Sequence, residues 1–88
     1  MTRQKLPLVI VEWLDANTES GWTAVKDIKH EPTPIRTVGW LLSQTDKCLV
    51  MFSSHTDDGD AGEVTTIPAP WIQTVKKLRG NTLTIKKE

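Results

Sequence analysis

Ile35-Arg-Thr-Val-Gly-Trp-Leu-Leu-Ser43, then Gln44-Thr-Asp-Lys47, then Cys48-Leu-Val-Met-Phe-Ser53, is the stretch that decides the fold. Two runs rich in β-branched, aromatic and aliphatic residues flank a short polar turn. That pattern predicts an antiparallel hairpin. In its first strand Ile35, Thr37, Gly39 and Leu41 alternate with Arg36, Val38, Trp40 and Leu42. A glycine inside a strand marks a bend or a close approach of another backbone, so Gly39 is read that way. In the second strand Cys48, Val50 and Phe52 oppose Leu49, Met51 and Ser53. Both faces are largely apolar.

Working outward, residues 6–15 read as the first strand. Val9, Val11 and Trp13 share one face, and Leu8, Ile10 and Leu14 share the other, with Glu12 the only charge among them. A surface strand needs only one apolar face. The expectation is a central strand in a small barrel, or a strand with one face against another chain. Residues 1–5 are polar and expected to fray. Residues 15–21 read as a turn, with Asp15, Asn17, Thr18, Ser20 and Gly21 as its turn formers. Trp22, Val25 and Ile28 are spaced for one or two helical turns lying on the sheet, capped by Thr18 or Ser20, or for a single 3₁₀ turn. Residues 30–34 form a connecting arm with Pro32 and Pro34.

Beyond the hairpin lies an acidic loop at residues 55–62, then a strand at 63–68. Pro68-Ala-Pro70 breaks it before Trp71, and a last strand covers 72–78. Gly80-Asn81 is expected to turn the chain into a short edge strand at 82–87, whose lysines discourage further pairing. The fold class is therefore all-β. It is a small SH3-like or Sm-like barrel of five to six antiparallel strands with at most one short helical turn, in one domain spanning residues 1–88.

At 88 residues the chain suffices for one domain. Its stability is expected on the order of 5–8 kcal/mol. Eleven basic residues balance eleven acidic ones, unlike the net positive charge of a generic DNA binder. Cys48 is the single cysteine, so no internal disulfide forms, and a cytoplasmic setting is expected. No run reaches the roughly 18–20 apolar residues of a membrane span, and no signal peptide is read at the start.

Chemistry is sparsely signalled. Asp57, Asp58, Asp60 and Glu63 lie close together, but without calcium-loop spacing. They read as a solvated turn that could repel nucleic acid or mimic its charge. His30, His55 and Cys48 lack zinc-ligand spacing. Cys48 alternates with Val50 and Phe52 and reads as a small core residue. No nucleophile elbow or phosphate loop is present. The chain is read as a non-enzyme without cofactor or metal.

Binding is the better lead. Trp13, Trp22, Trp40 and Trp71 are many for so small a domain. Trp13 and Trp40 read as core or subunit-contact residues. Trp22 and Trp71 follow turn residues and are the candidate protein-binding residues, unless all four are core. Apolar residues on both strand faces also point to homo-oligomerisation. The alternative is single-stranded nucleic acid held by Trp71, Lys76, Lys77 and Arg79. The plainer reading of that basic run is a lysine-blunted edge strand.

Val11-Glu-Trp-Leu-Asp-Ala16, Gly21-Trp22, Thr37-Val-Gly-Trp-Leu-Leu42, and Ile67-Pro68 before Trp71 have a further implication. In these the chain resembles a group of short tailed-bacteriophage proteins over residues 9–78. The resemblance implies an SH3-like or Sm-like barrel made in an infected bacterium. It brings no catalytic or binding motif, and residues 82–87 lie outside it. With the apolar strand faces and the tryptophans, the role expected is a non-enzymatic phage accessory protein that binds a host or phage protein, or itself, with a minor virion or assembly component as another alternative.

Overall fold

The computed structural model describes residues 2–18, 20–28 and 31–87. His30 lies outside the described residues. The strands are β1 (Thr2–Asp15), β2 (Thr33–Gln44), β3 (Cys48–His55), β4 (Ala61–Pro68) and β5 (Ile72–Lys87). Among the described residues the helical content is two 3₁₀ turns, Val25–Asp27 and Ala69–Trp71. The protein is all-β.

The strands form one antiparallel sheet in the order β4-β3-β2-β1-β5. The last strand returns beside the first, and β4 and β5 are the two edges. The sheet stays open there, where sequence reasoning anticipated a closed barrel. One face nevertheless curls onto itself. Val9 and Val11 of β1, Leu49 and Met51 of β3 and Ile67 of β4 form one fully buried cluster, flanked by Trp13, Leu41, Ile72 and Val75. Strands β1 and β3 are not neighbours in the sheet, so their side chains meet only because the sheet bends.

Gly39 is where that bend is made possible. It is buried and pairs with Val9. A Cβ built there would stand 2.6 Å from the Phe52 carbonyl oxygen and 3.1 Å from Met51 Cε. The adjacent backbone thus occupies the space that any side chain would need. Near this point β2 changes partners. It pairs with β1 up to Trp40 and with β3 from Trp40 onward, with a register shift between Leu41 and Ser43.

The β2–β3 turn is held by one hydroxyl. Thr45 Oγ1 accepts from the amides of Lys47 and Cys48, each at 3.2 Å, and the Thr45 amide donates to the Cys48 carbonyl at 2.9 Å. Cys48 itself is half-buried on the face opposite Leu49 and Met51. It is not the small core residue expected, because alternation puts its odd-numbered neighbours inside.

Strand β5 differs most from the sequence reading. No turn forms at Gly80-Asn81, and the strand continues to Lys87. Its second half pairs with the start of β1, from Thr2↔Lys87 to Pro7↔Thr82. The expected frayed start is therefore strand from Thr2, because a long ladder satisfies its backbone. The ladder resumes at Val9↔Lys77, so residues 78–81 stand opposite Leu8 as a large bulge. This ribbon makes the molecule long. Its extents are 58 × 23 × 22 Å and its radius of gyration is 16.6 Å, against about 12 Å for a compact chain of this length.

Candidate protein-binding surface

Residues 16–18, 20–28 and 31–32, between β1 and β2, leave the sheet as an arm. Its base is clamped by Asn17, whose Nδ2 donates to the Glu31 carbonyl at 3.1 Å and to the Thr33 hydroxyl at 3.0 Å. Gly21 then takes a φ of +93°, a conformation favouring glycine, and the chain changes direction just before Trp22. A single 3₁₀ turn follows, closed by the Asp27 amide on the Ala24 carbonyl at 2.8 Å. Its N-cap is Ala24, with no side-chain cap, so Thr18 and Ser20 do not serve as caps.

The turn does not lie on the sheet. Trp22 is fully exposed, Val25 is 84% exposed and Ile28 is 45% exposed. The i, i+3, i+6 spacing that suggested a buried face instead gives the arm three apolar side chains in water. Leaving a Val or Ile exposed forgoes about 1.5–3 kcal/mol of burial, and Trp more still. Isolated exposed apolar residues need no explanation, but three on one short projecting arm do.

Trp71 is placed differently. It ends the Ala69–Trp71 turn and stacks on Trp13, with ring centroids 6.5 Å apart and planes at 12°. Trp13 Nε1 in turn donates to Thr37 Oγ1 at 3.0 Å. One side of Trp71 is thus committed to the fold, and it remains 37% exposed. Trp13 lies two residues before Asp15, where β1 gives way to the arm. The two candidate tryptophans therefore belong to the same end of the sheet, one projecting and one half-seated.

The outer face of the sheet is a second apolar surface. Trp40 packs on Phe52 at 5.9 Å and meets His55 edge-on at 5.0 Å. Val38, Leu42 and Val64 are exposed beside them. A cavity of about 160 Å³ is lined by Leu42, Phe52, His55, Asp60, Ala61 and Val64. His55 is thus a packing residue of this face, a role its loop position in the sequence did not announce.

A larger groove of about 410 Å³ runs past Glu12, Arg36 and Thr74. Its carboxylate is already engaged. Thr74 Oγ1 donates to Glu12 Oε1 at 2.8 Å, and Arg36 Nη2 donates to Oε2 at 3.3 Å. The Thr74 hydroxyl first, and then the Arg36 guanidinium, hold the Glu12 carboxyl below its ordinary value. A carboxylate with a depressed folded pKa stabilises the fold above its unfolded value, about 4.3, and that contribution vanishes as pH falls through the folded value. Glu12→Gln should therefore flatten the acid limb of the stability curve below about pH 4.5. Urea midpoints measured down to pH 3 check this, and an unchanged acid limb would remove Glu12 from the account.

The acidic loop is ordered by its own backbone. The Thr56 amide donates to the Asp60 carbonyl at 2.8 Å, the Asp60 amide returns to Thr56 Oγ1 at 3.0 Å, and Gly59 has a φ of +97°. Among the described residues no group of three or more His, Cys, Asp or Glu side chains is placed to hold a metal ion. Lys76 and Lys77 are exposed on β5, as is Arg79 at its bulge. Among the described residues no helix is long and apolar enough to cross a membrane.

No known protein family, curated protein or solved structure matches this chain.

Proposed function

We propose that the protein is a non-enzymatic protein-binding module. Its working surface is the arm between β1 and β2, led by Trp22 with Val25 and Ile28, and the partly exposed Trp71 is a further contact residue. The observation that carries the reading is the arm itself: clamped by Asn17, turned by Gly21, and bearing three exposed apolar side chains. An anchored loop with a protruding indole supplies a large contact area at low entropic cost. A partner offering an apolar pocket would recover the burial that the isolated chain forgoes.

The strand order, with β5 returning beside β1 after a tight proline-bearing turn, supports an SH3-like small barrel with an open seam. The sequence resemblance supports a phage accessory protein acting in the cytoplasm of the infected bacterium, on a host or phage protein. The partly exposed outer face around Val38, Leu42 and Val64 supports self-association as well.

Capture from bacterial lysate, with and without nuclease, tests the reading. A defined protein that stays bound after nuclease treatment is the expected result. Loss of every captured species with nuclease would favour single-stranded nucleic acid on Trp71, Lys76, Lys77 and Arg79, whose binding would also weaken steeply with salt. The Trp13 stack weighs against that alternative, since it already occupies one side of Trp71.

A further inference from the structure

The open sheet has two edges, and they carry opposite charge. Strand β5 contains Lys76, Lys77, Arg79, Lys86 and Lys87 and no acidic residue. At the other edge, Asp57, Asp58 and Asp60 lead into β4 and Glu63 lies within it, while residues 55–68 contain no Lys or Arg. Each edge strand pairs on one side only, β4 with β3 and β5 with β1. An edge presents unpaired amides and carbonyls to any strand that can approach.

We propose that the β5 edge of one copy of this chain pairs with the β4 edge of a second copy, antiparallel. The antiparallel sense continues that of every strand pair already in the sheet, and it allows the acidic start of β4 to face the basic residues of β5. Two β5 edges repel one another. The uninterrupted part of the β4 edge is short, residues 64–67, between Glu63 with its φ of +54° and Pro68, which has no amide hydrogen. So few ladder bonds make the contact depend on the charges beside it. The contact is heterologous, because each copy uses a different edge. It therefore builds a ring if the rotation closes and a filament if it does not. It uses neither Trp22 nor the outer face.

Sedimentation velocity of the full chain tests this at two ionic strengths. At about 0.01 M salt charges reach ~30 Å, and at 1 M only ~3 Å. The expected result is a species larger than the monomer at low salt and the monomer at high salt. Lys76→Gln with Lys77→Glu should be monomeric at low salt, and so should Asp57→Lys with Asp58→Lys. All four residues are exposed, and circular dichroism verifies that both variants fold. Mixing the two folded variants should restore a larger species, because the intact β4 edge of the first meets the intact β5 edge of the second. Trp22→Ala should assemble like the wild type. A wild-type chain that stays monomeric at low salt overturns the inference, as does assembly that survives both charge changes or a mixture that stays monomeric. Assembly lost in Trp22→Ala but kept in the charge variants overturns it while leaving the arm as a binding surface.

Discussion

Gly39→Ala should cost about 3 kcal/mol, the upper part of the range for inserting atoms into a packed core. The new Cβ would lie 2.6 Å from the Phe52 carbonyl oxygen, in the strand to which β2 is hydrogen-bonded. A flexible side chain could move aside, but a ladder carbonyl moves only if the strands part. Met51 Cε, 3.1 Å from the same point, is fully buried and has nowhere to go. For a domain of this size the loss corresponds to a thermal midpoint lower by about 15 °C. Gly62→Ala is the internal control. Its Cβ would meet only Ser54 Cβ at 3.6 Å, an ordinary contact, at a backbone angle any residue adopts. It should change stability by less than about 0.5 kcal/mol. Thermal melts of the two variants side by side check both statements, and equal midpoints would refute the bend assigned to Gly39.

Trp22→Ala should behave in the opposite way, leaving stability nearly untouched and removing most of the affinity. A fully exposed side chain contributes little packing to the isolated fold, so its loss should fall within about 0.5 kcal/mol. On binding, the same indole would pass from water into a pocket. Truncating such an anchor costs 2–4 kcal/mol, or roughly 30- to 1,000-fold in affinity. Trp71→Ala gives no such clean separation. It would unstack Trp13 and so disturb the end of β1 that carries the Trp13–Thr37 hydrogen bond.

The hairpin, the all-β class and the close approach at Gly39 were legible because they rest on local pattern. So was the shared face of Val9, Val11 and Trp13. Which of two apolar faces turns inward was not legible. Leu8, Ile10, Trp40 and Val50 are as apolar as the residues opposite them, and the choice depends on how the sheet curls. The continuity of β5 was hidden by Gly80-Asn81, a turn signal overridden by the long ladder with residues 2–7. The arm misled for a related reason. Helical spacing at Trp22, Val25 and Ile28 normally means a buried face, and only the absence of sheet beneath it makes the same spacing a projecting surface. Trp22 and Trp71 look alike in sequence, each following turn residues, and the fold gives them different surroundings, one fully exposed and one stacked on Trp13.

The claim at the centre of this account is that Trp22 anchors a protein partner. Titration calorimetry of the nuclease-resistant partner with the wild type and with folded Trp22→Ala measures it most directly. The account predicts affinity lower by about a hundredfold in the variant, within the span of a buried tryptophan anchor. Equal affinity in the two folded proteins would contradict it and place the binding surface elsewhere on the molecule.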